Sequence, residues 1–244
     1  MRRFTLVSTL LLAAFAGAPP TAAADTLFGG FAGVFVPRGI DNRVAGDVLF
    51  ENLTFRTLDD DFGEKDPAHL FSGFFGGGEV LFGLGDFVEV GGGIGYYQSP
   101  NRLSFYTDFT DVDGTDILQR TQHRIVPITV SVRAFPIGRT TPVQPYVGGG
   151  INFYRWNYRE SGEFIDFSDP SLTLFTDTFE DSGSATGPMV LFGVRVPVGR
   201  TANVGGEARW NGGSADLAPE LNFAGDKLDL GGWTVAATFH VRLP

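Results

Sequence analysis

The segment Arg120–Pro136, with the sequence RTQHRIVPITVSVRAFP, decides the fold class of this chain. Its residues alternate between two kinds with a period of two. Apolar side chains occupy one set of positions, namely Val126, Ile128, Val130, Val132 and Ala134. Polar side chains occupy the intervening positions Thr129, Ser131 and Arg133. Because successive side chains of a strand point to opposite faces, the pattern predicts a β-strand with one apolar and one polar face.

Seven further segments show a similar alternation and complete a set of eight predicted strands. Most are longer than the roughly 9–11 residues with which a tilted strand crosses a bilayer. No segment beyond the start of the chain has the ~18 uninterrupted apolar residues of a spanning helix. The sequence therefore predicts an all-β protein. The predicted strands are Leu27–Val36, Ala68–Leu84, Phe87–Gln98, Arg120–Pro136, Gln144–Tyr158, Ala185–Val198, Ala202–Asn211 and Asp229–Leu243.

The connections between these strands alternate in length without exception. Short connections at residues 85–86, 137–143 and 199–201 follow the second, fourth and sixth strands. Long, mostly acidic gaps at residues 37–67, 99–119, 159–184 and 212–228 follow the first, third, fifth and seventh strands. Outer-membrane barrels have tight periplasmic turns at one rim and extended external loops at the other. We therefore predict one domain over residues 25–244, an eight-stranded antiparallel up-and-down transmembrane β-barrel.

The charged residues in the middle of the predicted strands all fall on one face. A charge on the lipid face costs about 2–4 kcal/mol at mid-membrane, so that these side chains are expected to point into the lumen. Three carboxylates and three guanidiniums can neutralise one another there. An eight-stranded barrel is just wide enough for side chains to fill it. The predicted lumen charge network is Glu79, Glu89, Arg133, Arg195, Glu207 and Arg209.

Several large aromatic residues fall near predicted strand ends, where an interfacial girdle of a membrane barrel would lie. The alternative is that they are ordinary strand aromatics. The predicted girdle is Tyr96, Tyr154, Trp156, Trp210 and Trp233, with Tyr97 and Tyr158 as further candidates.

The first 24 residues have the composition of a secretory signal peptide. Arg2 and Arg3 precede an apolar run from Phe4 to Ala16, and three alanines at 22–24 precede Asp25. Loss of the two arginines moves the formal net charge from −10 to −12. Such a negative chain without a basic cluster argues against a nucleic-acid partner. The chain has no cysteine, so that we expect strand pairing rather than disulfides to hold it together.

The segment Arg124–Pro136, followed by Pro145-Tyr-Val-Gly-Gly-Gly150, resembles the central hairpin of small OmpA/OmpW-like outer-membrane barrels. In that family a Pro-Ile/Val-Thr strand and a Pro-Tyr-Val-Gly-x-Gly strand flank a short periplasmic turn. The resemblance implies a monomeric or weakly associating barrel with no catalytic residues. Roles in the family range from envelope stability and adhesion to passage of small hydrophobic compounds. Such barrels usually end on an aromatic residue read by the assembly machinery, whereas this chain ends with Leu243-Pro244.

Two candidate sites for chemistry depend on proximity alone. His69 and His123 fall near the loop-side ends of predicted strands, close to Ser72 and to acidic loops, so that a Ser-His-Asp site at the rim is conceivable. The third histidine is His240. The sequence DVDGTD at residues 111–116 has the oxygen spacing of a calcium loop but lacks the terminal glutamate of an EF-hand. A solvated acidic loop is the favoured interpretation, and we expect no enzyme activity, no bound metal and no cofactor.

The expected function is a structural or surface-interaction role in the bacterial outer membrane, with a lumen filled by side chains. Expected partners are outer-membrane lipid, lipopolysaccharide and, during biogenesis, the barrel assembly machinery. The alternative functions are a conduit or binder for small hydrophobic molecules and, third, a lipid-modifying enzyme at the rim. A soluble periplasmic ligand-binding barrel would reverse the two faces, with its apolar side chains inside.

Overall fold

A computed structural model describes residues 25–38, 52–55, 71–218 and 227–243 of the protein. The predicted signal peptide, His69 and the acidic residues of the first long gap lie outside this described part. Twelve β-strands account for most of the described residues. They are β1 (Thr26–Pro37), β2 (Leu53–Phe55), β3 (Gly73–Leu84), β4 (Val88–Gln98), β5 (Arg102–Thr110), β6 (Asp116–Ala134), β7 (Gln144–Ile165), β8 (Leu174–Val198), β9 (Ala202–Asn211), β10 (Ser214–Asp216), β11 (Lys227–Asp229) and β12 (Gly232–Leu243).

Eight of these strands pair in a closed antiparallel ring. The order around the ring is β1, β3, β4, β6, β7, β8, β9 and β12. The first and last members close it along their whole length, from the pair Thr26–Leu243 to the pair Pro37–Gly232. Every neighbouring pair is antiparallel, so that the predicted eight-stranded up-and-down barrel is confirmed.

The barrel has a turn end and a loop end. At the turn end, tight connections join β3 to β4 and β8 to β9, and a nine-residue connection, 135–143, joins β6 to β7. Gly85 and Gly199 have φ values of 69° and 68°, a left-handed conformation that a side chain at these turn positions would disfavour. The chain passes from β1 to β3, from β4 to β6, from β7 to β8 and from β9 to β12 at the opposite end, the loop end. Within the described part of the chain, no helix is long and apolar enough to cross a membrane.

The long gaps at 99–119 and 159–184 are not loops, and this part of the prediction is wrong. Most of the gap at 99–119 consists of β5 and the start of β6, which form a hairpin. Strands β7 and β8 have 22 and 25 residues and stay paired up to an eight-residue connection, 166–173. The error arose because these strand extensions carry polar residues on both sides. An alternating apolar pattern, by which the strands were predicted, is therefore weak there.

The strand extensions continue the same sheet beyond the ring, and we call this part the distal sheet. It comprises β2, β5 and residues 116–124, 155–165 and 174–186 of the three long strands. Its outer face continues the outer face of the barrel, and its inner face stands above one side of the lumen.

The outer face of the ring carries an apolar band. Above the turn end, the outward side chains of all eight strands are aliphatic, aromatic or glycine. On β6 the last apolar side chain of the band is Val126, and the next outward-facing residue toward the loop end is Arg124. On β7 the corresponding residues are Phe153 and Arg155. Large members at least 45% exposed include Phe28, Val34, Phe74, Ile94, Ile128, Val147, Val190, Phe192, Val235 and Phe239. A soluble barrel would have the opposite arrangement.

Candidate functional site: the filled lumen and the distal cavity

A group of charged side chains fills the lumen at the turn end. Glu89 accepts hydrogen bonds from both terminal nitrogens of Arg195, at 2.8 and 3.1 Å, and one from Nε of Arg139 at 2.8 Å. Arg139 belongs to the connection between β6 and β7 and reaches back into the lumen. It also pairs with Asp25 at 3.0 Å. The Arg195 guanidinium lies 4.8 Å above the ring of Phe135, which closes this layer.

A second charged group lies further from the turn end. Arg133 donates from Nη2 to Glu79 at 2.8 Å and lies 3.1 Å from a Glu207 oxygen. Arg209 pairs with Glu207 through Nε and with Glu79 through Nη2. Nε2 of His240 lies 2.7 Å from Glu79. All five side chains are at least 94% buried, so that their charges interact with little solvent screening.

In both groups each carboxylate is paired with at least one guanidinium. The first has Glu89 and Asp25 against Arg139 and Arg195, and the half-exposed Arg242 also pairs with Asp25 at 2.8 Å. The second has two glutamates against two arginines. A buried ion needs such a partner, because leaving one charge without its counterion in a low-dielectric interior costs several kcal/mol. The barrel therefore pairs its buried charges in two layers.

The six residues of the predicted charge network all point into the lumen, where the structure brings them together as these two groups. Sequence reasoning missed three further members, namely Asp25, Arg139 and His240. For His240 a signal was available, because the alternation of β12 places it on the inward face beside Thr238. Asp25 and Arg139 lie outside the strands of the ring, and strand periodicity gives no information about such residues.

Above the charged layers the lumen becomes polar and then apolar. Asn152 donates to Tyr154 OH and to Asn211, both at 2.9 Å, and Asn211 donates to Thr234. Beyond this network lies a chamber of packed rings and aliphatic side chains around a cavity of only about 20 Å³. That volume holds little more than one water molecule. The chamber is lined by Phe35, Phe75, Tyr97, Ile125, Pro127, Tyr154 and Leu230, among others.

A small hairpin caps this apolar chamber. Strands β10 and β11 pair with each other and form a two-stranded sheet separate from the ring. Leu217, Leu228 and Leu230 flank or belong to this hairpin, and each is at most 1% exposed because it packs onto the chamber. Arg38 holds the hairpin to the end of β1 through two hydrogen bonds to Asp229, at 2.7 and 3.0 Å. The lumen is thus filled along its length and covered at the loop end.

The predicted aromatic girdle is wrong in part. Tyr154 and Trp156 are 3% and 6% exposed, as their positions on the inward face of β7 require. The further candidates Tyr97 and Tyr158 are buried in the same cluster. Tyr96 and Trp233 are exposed on the outer face. Trp210 of β9 is half-buried and pairs with Trp233 of β12. Proximity to a strand end does not show on which face of the sheet a residue lies, whereas the alternation of odd and even positions along the strand does.

The two described histidines are both buried. His123 lies on the inward face of β6 between the rings of Tyr97 and Tyr158, at 6.4 and 6.0 Å. Burial lowers the pKa of its imidazole from 6.5 to about 3. Among the described residues neither ring nitrogen has a hydrogen-bond partner, and Ser99 Oγ accepts a bond from the backbone N–H of His123. No nucleophile–base pair forms at either histidine among the described residues.

The DVDGTD segment forms the tip of the β5–β6 hairpin. Its carboxylates accept hydrogen bonds from their own turn: Asp111 from the N–H of Val112, and Asp113 from the N–H and hydroxyl of Thr115. In the described part of the chain, no three or more histidine or acidic side chains are grouped so that they could hold a metal ion. The segment acts as a turn.

A larger cavity lies at the loop end on the inner side of the distal sheet. Its volume is about 330 Å³, within the range of roughly 300–1,000 Å³ typical of small-molecule sites. Five aromatic rings and three carboxylates take part in its wall. The lining residues are Tyr106, Glu160, Phe164, Ile165, Asp166, Phe167, Phe175, Asp177 and Phe179. No sequence pattern announced this cavity, because it forms between strands predicted as loops.

The fold has counterparts among solved structures. The outer-membrane protein OprG from Pseudomonas aeruginosa superposes with a TM-score of 0.50 at 16% sequence identity, over 91% of this chain and 96% of its own. The fold is that of a small outer-membrane β-barrel. Neisserial surface protein A gives a TM-score of 0.44 at 12% identity, over 89% of this chain and 97% of its own. The N-terminal barrel of P. aeruginosa OprF gives 0.40 at 10% identity, over 90% and 97%.

At the level of sequence the comparisons find nothing. No protein-family model matches the chain, and no curated protein is significantly similar to it.

Proposed function

We propose that this protein is a non-enzymatic integral barrel of the bacterial outer membrane, with a closed lumen and a structural or surface-interaction role. The observation that carries the proposal is the combination of an apolar outer band with an interior of paired charges. The OprG-like fold supports the location. The loop end, with its distal sheet, would face the exterior.

The apolar band supports insertion into lipid. Soluble monomers rarely expose contiguous apolar patches of more than a few hundred Å². Here the outward face of every strand in the ring is apolar, from the turn end to the arginines of β6 and β7. A bilayer would cover this surface, and the roughly 9–11 residues that a spanning strand needs are present in each member of the ring.

A patch of arginines supports contact with lipopolysaccharide. Four arginines lie exposed on the outer face of the distal sheet, just beyond the apolar band, on the paired strands β6 and β7. Guanidinium groups bind phosphate oxygens with two parallel hydrogen bonds. At this height they would meet the phosphate groups at the surface of the outer leaflet. The patch comprises Arg120, Arg124, Arg155 and Arg159.

Membrane insertion is tested by cell fractionation and by gel migration. The protein is expected in outer-membrane fractions, and unheated samples should migrate differently from heated ones because a closed barrel resists the detergent. Unheated protein in the periplasmic wash would contradict the proposal. Val235→Arg places a charge in the apolar band and should lower the free energy of unfolding in vesicles by about 2–4 kcal/mol. Thr178→Arg, outward-facing on the distal sheet, is the matched control and should have little effect.

The closed lumen is tested by conductance. Protein refolded into a planar bilayer should give no steady single-channel current, since two charged layers and a capped apolar chamber fill the barrel. Steady currents in the wild-type protein would overturn this part of the proposal while leaving the membrane location intact.

Binding of small apolar molecules in the lumen is a second candidate function. The observation that favours it is the apolar character of the lumen near the loop end. A ligand would have to displace side chains, because the chamber contains a cavity of only about 20 Å³. Saturable quenching of tryptophan fluorescence by an apolar probe such as a brominated long-chain alkane, lost on Leu230→Phe, would support this candidate. Absence of saturation would exclude it.

A further inference from the structure

The wall of the distal cavity contains two groups of packed aromatic rings. Phe164, Phe175 and Phe179 form one group, with ring centroids 4.7 to 6.4 Å apart. Tyr106 and Phe167, at 6.3 Å, belong to the other, together with Phe109 behind them. Because the rings pack on one another, the wall is formed independently of any ligand.

The charge in this wall is of one sign. Asp166 and Asp177 lie at the cavity, and Glu160 is buried at its base, where it accepts a hydrogen bond from Tyr158 OH at 2.8 Å. Hydrogen bonds from the backbone and hydroxyl of Ser168 hold the pKa of Asp166 below its ordinary value, so that this carboxyl is ionised at neutral pH. None of the described residues that line the cavity is a lysine, arginine or histidine.

The exposed arginines of the distal sheet lie on its opposite face. The four arginines of the patch described above alternate with inward residues on β6 and β7, and their side chains therefore point away from the cavity. The cavity wall is thus aromatic and negative, whereas the exposed arginines lie on the outer surface together with Glu180. Among the described residues, the lining therefore offers no cationic side chain to an anionic ligand.

We propose that the distal cavity binds a small organic cation, namely an ammonium group attached to an apolar body. Ring faces carry negative electrostatic potential and attract a cation placed over them. The carboxylates of Asp166 and Asp177 add a direct ionic and hydrogen-bonding partner for an ammonium N–H. The same wall disfavours carboxylate ligands, which both features repel. A neutral apolar ligand gains only the burial of its surface.

Three probes that share one body and differ in charge test this proposal. They are 3-phenylpropylammonium, 3-phenylpropanol and 3-phenylpropanoate, titrated by calorimetry into the full-length barrel in an uncharged detergent. The ammonium probe is expected to bind about tenfold or more tightly than the alcohol, and the carboxylate weakest. Raising the salt concentration should weaken the ammonium probe selectively, since screening acts on partly exposed charge pairs.

Variants locate the binding in this cavity. Asp166→Asn with Asp177→Asn keeps side chains of the same shape and should weaken the ammonium probe about tenfold while leaving the alcohol unchanged. Phe175→Leu should weaken it about two- to fivefold, as expected for loss of one cation–π partner. Glu180→Gln, on the outer face of β8, and Phe74→Leu, in the apolar band, are matched controls and should have no effect. Heat-modifiable migration verifies that each variant folds.

The outcomes separate clearly. Equal affinity for the ammonium probe and the alcohol would show an apolar site without charge selection and would overturn the proposal. Absence of saturable binding at millimolar ammonium, or affinity that survives the double aspartate variant and Phe175→Leu, would overturn it as well. None of these results bears on membrane insertion, which the fractionation and migration experiments test separately.

Discussion

The lumen and the distal cavity contain similar kinds of side chain but differ in the arginines that accompany them. Both contain carboxylates next to aromatic rings. In the lumen every carboxylate is paired with a guanidinium, and three guanidiniums also lie over rings, such as Arg209 over Phe31 at 4.4 Å. The described residues that line the distal cavity include three carboxylates and five rings but no lysine or arginine.

The difference follows from access to water. A charge enclosed in the barrel has no solvent to stabilise it, so that an unpaired carboxylate there would cost several kcal/mol. A carboxylate at the rim of the distal cavity keeps part of its hydration and needs no fixed partner. Residues in the lumen are therefore selected for stability, and those in the distal cavity can be selected for binding. Four substitutions test this contrast.

Glu79→Gln should have the largest effect. It leaves Arg133 and Arg209 with one carboxylate fewer in a buried layer, and we expect the free energy of unfolding to fall by about 3–5 kcal/mol. Urea titration of the barrel in phospholipid vesicles measures the change. Glu180→Gln, an exposed carboxylate bonded to Asn157 on the distal sheet, is the control and should stay within about 0.5 kcal/mol. A loss below about 1 kcal/mol for Glu79→Gln would show that the lumen tolerates unpaired charge.

Leu228→Ala tests the hairpin that caps the lumen. Leu228 is fully buried in β11, and truncation should destabilise the barrel by about 2–3 kcal/mol, at the low end for a core leucine because a surface hairpin can relax. The same vesicle titration applies, with Val112→Ala at the exposed tip of the β5–β6 hairpin as its control. If the two variants behaved alike, the hairpin would not be a structural part of the lumen.

His123 lies between the lumen and the distal cavity and makes stability depend on pH. Its folded-state pKa of about 3 is below the ordinary value of 6.5, so that the unfolded chain takes up a proton that the folded barrel excludes. Stability is therefore greatest above about pH 6.5 and declines as the pH falls toward 3. Between about pH 7 and pH 5 the loss should be roughly 1–2 kcal/mol. His123→Phe should abolish this part of the decline, and identical slopes for both proteins would refute the assignment.

Asp177→Asn should have the smallest effect on stability. It is the same carboxylate-to-amide change as in the lumen, but Asp177 is exposed and accepts a hydrogen bond from the backbone N–H of the neighbouring Thr178. The free energy of unfolding should stay within about 0.5 kcal/mol of wild type. A destabilisation comparable to that of Glu79→Gln would show that the carboxylates of the distal cavity are structural, as those of the lumen are.

Much of the barrel could be predicted from the sequence because strand periodicity reports local geometry. The alternation in Arg120–Pro136 gave both the strand and its faces, and Arg133 lies inward as its position in that alternation requires. Glycines within the strands let neighbouring strands approach closely. At Gly77, a Cβ atom would collide with the carbonyl oxygen of Ile94 on the neighbouring strand.

The distal region could not be predicted in the same way. β5 is held by pairing with β6, and the ends of β7 and β8 are held by pairing with each other, for example Ser161 with Thr178, rather than by a repeated apolar face. Their sequence therefore looks like that of polar loops. Trp156 was assigned by its position near a strand end, although its even number in β7 places it inward with Tyr154 and Tyr158.

The sequence by itself determined the number of barrel strands, their order along the chain and which side chains face inward, because these depend on a period of two and on connection length. Only the tertiary structure decided which charge pairs with which, that Arg139 reaches into the lumen from a turn, and that five rings and three carboxylates meet in one cavity. Those arrangements join residues far apart in the chain. They depend on strand register and closure of the ring, which no local pattern records.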